Sequence, residues 1–422
     1  MMTVHIVWRW RVAAEEVLVD LLLAIGLSLS VGKLLEEVFV RFGYPSVIGD
    51  LLAGFILGQS FLHIFPRGET IDVVAWFGVS LLLFYAGLDT RYGEFMRSLR
   101  SAFIVTLGEA MSAFSYGVIV GLALGYPLTT AIFLGAILEA TSVSVSVRTL
   151  MDIGKLNTRE GMTILGVAVL DDVTSLLTIV AATSIVVLHR LDITQITQVV
   201  AMAAIFWLGV VLIVHKVNTP IMKYLRKMKA PEPVISGILA TFALLGVVAK
   251  DLKISPLVAA YAAGLAFSDA RGIQKAKESI RSLAIVMSTL FFVNTVASRN
   301  LIAAIKPEYA LFYVLMIAAA FAGKLTGAGL VTYLMGYGGI GALRVAVGLF
   351  PRAEFCIIAA TMGIAVGAIG EEAYLAAVLI TAITNFATPP LLKIMFTRFR
   401  SRFDRAGPVP TEKGRGRRHR RG

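Results

Sequence analysis

Charge is scarce in this 422-residue sequence: 16% of its residues are Asp, Glu, Lys or Arg, against 57% hydrophobic. A soluble domain carries about a quarter charged residues, so a soluble globular protein is excluded. Disorder is excluded by the same excess of apolar side chains. Cysteine is nearly absent, and the single Cys356 lies inside an apolar run, which rules out an intramolecular disulfide and a thiolate metal cage. The five histidines are scattered without paired ligand spacing, and no cofactor is expected. What the chain has in abundance is apolar runs of about 20 residues, enough to cross a hydrocarbon layer of about 30 Å as helix. The pattern is that of an all-α polytopic membrane protein.

Thirteen transmembrane helices are predicted, near 17–38, 46–62, 71–88, 102–124, 129–151, 161–188, 194–215, 233–249, 255–268, 282–301, 310–335, 343–369 and 372–396. The second and ninth are the shortest of them. Met1–Val12 is basic and aromatic and lacks the features of a cleaved signal peptide. Loops after odd-numbered spans, counted with the adjoining span ends, hold 18 Lys and Arg, and those after even-numbered spans hold 6. Positive loops stay inside, which predicts a multi-pass protein of the cell (plasma) membrane with its N-terminus outside and its C-terminus cytoplasmic. The net charge of +12 owes much to the segment 398–422. That segment reads as a disordered basic tail resting on anionic lipid, and no nucleic-acid partner is implied.

An internal repeat is visible. Tyr44-Pro45-Ser46-Val47-Ile48-Gly49-Asp50-Leu51-Leu52-Ala53-Gly54 resembles Ser255-Pro256-Leu257-Val258-Ala259-Ala260-Tyr261-Ala262-Ala263-Gly264, each with proline at the mouth and Ala-Gly about two turns on. Leu83-Phe84-Tyr85 and Leu290-Phe291-Phe292 follow at similar intervals. The copies are seven crossings apart, an odd number, so they enter the membrane from opposite faces. Two inverted-topology repeats of this kind build many secondary transporters, with sites near midplane at broken helices. The predicted organisation is an extracytoplasmic N-terminus (1–16), a first six-helix repeat (17–192), a connecting helix and cytoplasmic loop (193–230), a second repeat (231–397) and the tail (398–422).

Seven ionisable residues fall deep in the predicted spans: Glu109, Glu139, Asp171, Asp172, Lys324, Arg352 and Glu354. Each costs about 2.5–3.5 kcal/mol at the bilayer centre and should therefore face protein or water and be paired. Consecutive helix positions point about 100° apart, so Asp171 and Asp172 address different neighbours. One can hold an ion while the other meets a cation from another helix. A carboxylate poised between protonation and cation binding suits exchange, because oxygen ligands serve both. The hydroxyls of Thr141, Ser142, Ser144 and Ser146 would either support an opened helix or back-bond within an intact one. Pro351, next to Arg352 and Glu354, predicts a break in span twelve. Lys324, among small residues, is read as the partner of Asp171, with a structural bridge to Glu354 as the alternative. Glu354 has Arg352 or Lys324 to choose from. Glu109, Asp50 and Glu139 are read as packing or access-path residues.

Together these segments resemble the cation:proton antiporter superfamily, specifically the paired-aspartate branch of prokaryotic sodium/proton exchangers. The resemblance covers about residues 17–396 and rests on YPSVIGDLLAGFILG, GVSLLLFYAGLD, ATSVSVSVRTL, GVAVLDD, AGKLTG, PRAEF and TNFATPPLL. It implies crossed broken helices at Thr141–Ser142 and near Pro351–Glu354, a core domain of spans 4–6 and 11–13, and a dimerisation domain of spans 1–3 and 8–10. It also implies that Asp172 binds Na⁺ or a proton, with Thr141 and Ser142 as further oxygen donors. Asp171 would pair with Lys324, and a homodimer would work by an elevator-like movement. Ala353 replaces a usual glycine, Glu139 stands where relatives more often carry a small residue, and no GxGxxG follows residue 396. The function so implied is electrogenic Na⁺/H⁺ antiport. K⁺/H⁺ exchange, with Li⁺ also a candidate cation, is the alternative at the same site. An intramembrane aspartyl protease is a distant alternative, because adjacent acids that point apart do not converge on one water.

Overall fold

A computed structural model describes residues 2–42, 44–188, 193–252, 254–352 and 354–405. Among them every regular element is helical. Thirteen segments follow in order: α1 (2–41), α2 (Val47–Leu57), α3 (Glu69–Asp89), α4 (Tyr92–Ala123), α5a (Leu128–Glu139) with α5b (Val143–Asp152), α6 (Arg159–Leu188) and α7 (193–225). The rest are α8 (Pro233–Asp251), α9 (Pro256–Phe267), α10 (Gln274–Ala297), α11 (310–337), α12a (Gly338–Gly348) with α12b (Glu354–Ala365), and α13 (Glu371–Thr397). The protein is a multi-pass membrane protein, with ten stretches among the described residues long and apolar enough to cross a bilayer.

The two weakest spans in the sequence are short for a physical reason. α2 has 11 residues and α9 has 12, and at 1.5 Å per residue neither extends beyond about 18 Å. Both are sunk among other helices rather than facing lipid. α9 starts where Pro256 fixes the first turn and Ser255 Oγ accepts from Leu257 N–H at 3.3 Å.

The helices sort into two groups by their contacts. α3 packs chiefly on α10 and α9, and α2 on α10 and α1, giving a scaffold from α1–α3 and α8–α10. α4 packs on α5a, α6 and α11, while α12 and α13 close a second group from α4–α6 and α11–α13. Between the groups runs a thin seam, where α5b and α13 touch α2 and α3. The repeat seen in the sequence is built into the scaffold. A side chain at Gly54 of α2 would begin 2.3 Å from the Val293 carbonyl of α10, and one at Gly264 of α9 would begin 2.1 Å from the Phe84 carbonyl of α3. The matched glycines thus make reciprocal close approaches, each to the helix that follows the other copy.

Residues 398–405, the start of the segment expected to be disordered, are folded against the core. Arg402–Arg405 form a 3₁₀ turn. The fully buried Arg344 of α12a donates to both carboxylate oxygens of Asp404 (3.0 and 2.6 Å), to Glu160 (3.1 Å) and to the carbonyls of Met395 and Phe399. Phe403 packs edge-on against Tyr337, and the Arg159 guanidinium lies 4.3 Å from its ring centre. Composition counts the charges of this stretch but does not show a buried guanidinium awaiting a carboxylate. Arg344 holds the Asp404 carboxyl below the usual carboxylate range. The remaining tail, 406–422, lies outside the described residues.

Candidate functional site

Two broken helices cross in the core. α5 loses its helical geometry at Ala140 (φ −55°, ψ 137°) and Ser142 (φ −89°, ψ 121°). α12 opens between Gly348 and Glu354, around Pro351, whose ring cannot continue the hydrogen-bond ladder. The breaks meet directly: Ser142 N–H donates to the Pro351 carbonyl at 2.7 Å, and Ser146 Oγ donates to the Gly348 carbonyl at 2.5 Å. Thr384 on α13 accepts from Arg352 N–H at 3.1 Å, which ties the second break to its neighbour. Of the two readings for the Ser/Thr run, an opened helix is therefore the one observed.

Each half-helix that ends at the crossing exposes carbonyls with partial negative charge, and each is capped by a buried cation. Lys324 Nζ donates to the Glu139 carbonyl at 2.6 Å and to Thr141 Oγ1 at 2.7 Å. Arg352 donates to the carbonyls of Leu349 (3.2 Å), Phe350 (2.7 Å) and, across on α11, Ala320 (3.1 Å). Both side chains are wholly buried.

The third ammonium hydrogen of Lys324 goes to the carboxylate of Glu109. The sequence reading paired Lys324 with Asp171; the carboxylate that it hydrogen-bonds is Glu109, while Asp171 stays within its electrostatic reach. An ammonium has three donors, and here a carbonyl, a hydroxyl and Glu109 take them. Glu109 reaches that position because α4 and α11 cross on small residues: a side chain at Gly327 would start 2.6 Å from the Glu109 Cα, and one at Gly323 2.7 Å from the Ala113 Cα. The small-residue spacing of Gly323 and Gly327 was the signal available in the sequence.

Asp171 lies against Glu109 and Thr141, with Oδ1 accepting from Thr174 Oγ1 at 3.0 Å and Oδ2 meeting no donor. Glu139 is buried beside Thr174 and Ser175, and neither of its carboxylate oxygens meets a donor. Asp172 is 3% exposed. Glu109 and Glu139, read from sequence as packing or access-path residues, thus join the charged cluster. The side chain of Glu354 and the whole of Ala353 lie outside the described residues. Among the described residues of the crossing, four buried acids, Glu109, Glu139, Asp171 and Asp172, stand beside two buried bases, Lys324 and Arg352. The surplus of negative charge in a bilayer interior demands mobile positive partners.

A family model described as "Sodium/hydrogen exchanger, transmembrane" matches residues 26–398. The chain belongs to the sodium/hydrogen exchanger family. Among its relatives in that family, the probable Na⁺/H⁺ antiporter GerT of Bacillus cereus is 35% identical over 364 residues, covering 86% of this chain and 96% of the relative. The Na⁺/H⁺-K⁺ antiporter GerN of Bacillus cereus is 31% identical over 375 residues, covering 88% and 95%. The exchanger also shares its fold with the sodium proton antiporter MjNhaP1 of Methanocaldococcus jannaschii, at a TM-score of 0.66 and 18% identity over 89% of this chain and 96% of that one.

Proposed function

We propose that this exchanger is a secondary antiporter, not an enzyme, which trades protons for Na⁺ at the crossing of α5 and α12. The observation that carries the reading is the excess, among the described residues, of buried acids over buried bases beside two opened helices. Hydrogen ions and a hard monovalent cation are the species that can meet that excess alternately, because both are satisfied by oxygen. Asp172 is the cation ligand, helped by oxygens of Thr141 and Ser142, and Asp171 is its proton-exchanging neighbour. Lys324 and Arg352 keep the helix ends neutralised throughout. Glu354 is placed in the same charge-pairing set on the strength of its sequence position. No resident cofactor takes part, since Na⁺ and H⁺ are the cargo.

Two protons returned for each Na⁺ would move one net charge, and the membrane potential would then contribute about 2.3 kcal/mol per 100 mV. The thin seam supports an elevator-like movement of the core against a scaffold that pairs with a second copy in a homodimer. The charge bias of the loops supports an N-terminus outside and a C-terminus in the cytoplasm of a cell-membrane protein, with the basic tail on anionic lipid. An imposed Na⁺ gradient should drive proton movement in sealed proteoliposomes. Asp172→Asn should abolish it, and undiminished exchange in that variant would remove the assignment. Replacing Na⁺ by K⁺ or Li⁺ in the same vesicles tests the K⁺/H⁺ reading, which the likeness to the Na⁺/H⁺-K⁺ antiporter GerN favours as the second possibility.

A further inference from the structure

Glu139 has no part in the exchange just described, yet it is 1% exposed and neither of its carboxylate oxygens meets a donor. It is the last residue of α5a, at the end of the helix where the free carbonyls carry partial negative charge, which is the unfavourable end for an acid. The two buried bases of the crossing do not relieve it. Lys324 gives its hydrogens to the Glu139 carbonyl, Thr141 Oγ1 and Glu109, and none to the Glu139 carboxylate. Arg352 donates to the carbonyls of Leu349, Phe350 and Ala320. A carboxylate buried in this position calls for a cation of another kind.

Helix positions three and four apart share a face, so Thr174 and Ser175 stand on the face of α6 that carries Asp171, while Asp172 points about 100° away from Asp171. Glu139 lies against that first face, beside Thr174 and Ser175 and within electrostatic reach of Asp171 and Lys324. Ser175 is 1% exposed, and its hydroxyl oxygen has no partner. Asp171 Oδ2 is likewise without a donor, whereas Thr174 is engaged through its hydroxyl with Asp171 Oδ1. Unpartnered oxygens of three side chains, from α5a and α6, therefore gather on a different face of α6 from Asp172. Buried polar atoms in folded proteins nearly always have a partner, and all of these can serve as acceptors. Carboxylate and hydroxyl oxygens suit a hard cation, and no softer ligand stands among them.

We propose that Glu139 and Ser175 hold a second Na⁺ beside Asp171, at a station separate from the one on Asp172. The proposal rests on the reading that the crossing binds Na⁺. Asp172, with Thr141 and Ser142, remains the ligand of the exchanged ion. The ion on Glu139 compensates charge that Lys324 and Arg352 leave unmet, and it stays with the core while the one on Asp172 comes and goes. Two adjacent acids that point apart are then useful for a plain reason: each faces its own cation.

The test is equilibrium binding of radioactive Na⁺ to the purified full chain at alkaline pH, where protons compete least. Wild type should saturate at two ions per chain, Asp172→Asn and Glu139→Gln at one each, and the double variant at none. A wild type that saturates at one ion, an Asp172→Asn protein that binds none, or a Glu139→Gln protein that still binds two overturns the proposal. Ser175→Ala guards against a Glu139→Gln chain that fails to fold: placed in the Asp172→Asn background, it should weaken the remaining site about tenfold, and an unchanged affinity there also overturns the proposal. Na⁺-driven proton movement in wild-type proteoliposomes is measured alongside. Its absence would defeat the antiport reading, and the ion counts would still decide the second station.

Discussion

Lys324 shows how much one residue can organise. Its ammonium closes the carbonyl end of α5a, holds Thr141 in place and neutralises Glu109. Removing one partner of a buried ion pair leaves an uncompensated charge and costs about 3–5 kcal/mol. Glu109→Gln should therefore lower the melting temperature of the purified protein markedly, and Glu109→Asp should recover part of the loss. A Glu109→Gln protein as stable as wild type would show that Lys324 is held by other means. The sequence made Asp171, Asp172, Lys324 and Arg352 visible because charge in an apolar run is conspicuous. It did not reveal which acid meets Lys324, since that depends on how closely α4 and α11 approach, a property of glycine packing rather than of the charged residues.

At the level of elements, the helix breaks divide into one that was readable and one that was not. Pro351 announces its interruption through a missing N–H. The break at Thr141–Ser142 has no proline or glycine, and its hydroxyl residues suit an intact helix as well as an open one. At that opening the non-helical segment of α12 offers the Pro351 carbonyl to Ser142, a tertiary partner that no local pattern announces. The repeat was readable because its glycines serve a steric purpose. A methyl group at Gly264 would begin 2.1 Å from the Phe84 carbonyl, so Gly264→Ala should push α9 off α3. Overpacking of this kind typically costs about 1–3 kcal/mol, and thermal unfolding of the variant measures it. Gly246 of α8, where an added side chain would meet nothing within 4 Å, is the control position and should tolerate alanine.

For the whole molecule, the contacts leave two bodies joined by little. The C-terminal segment reinforces one of them: Asp404 is pinned by Arg344, and Phe403 rests on Tyr337. Because the Asp404 carboxyl is held below its ordinary range, the docking it provides is fully present above the unfolded-state value and is lost as pH falls through the lowered one. Residues 398–405 should thus stay protected from trypsin at neutral pH and become cleavable only in strongly acidic solution, after pulse exposure and return to the protease's range. Arg344→Ala should expose the same bonds without acid. Equal protection in wild type and Arg344→Ala would show that the guanidinium does not anchor the segment.

The one thiol, Cys356, is completely enclosed in the core. Spectroscopic labels attached through new surface cysteines would consequently find no competing native group, and the displacement of one body past the other becomes measurable without first stripping the sequence of its own sulfhydryl.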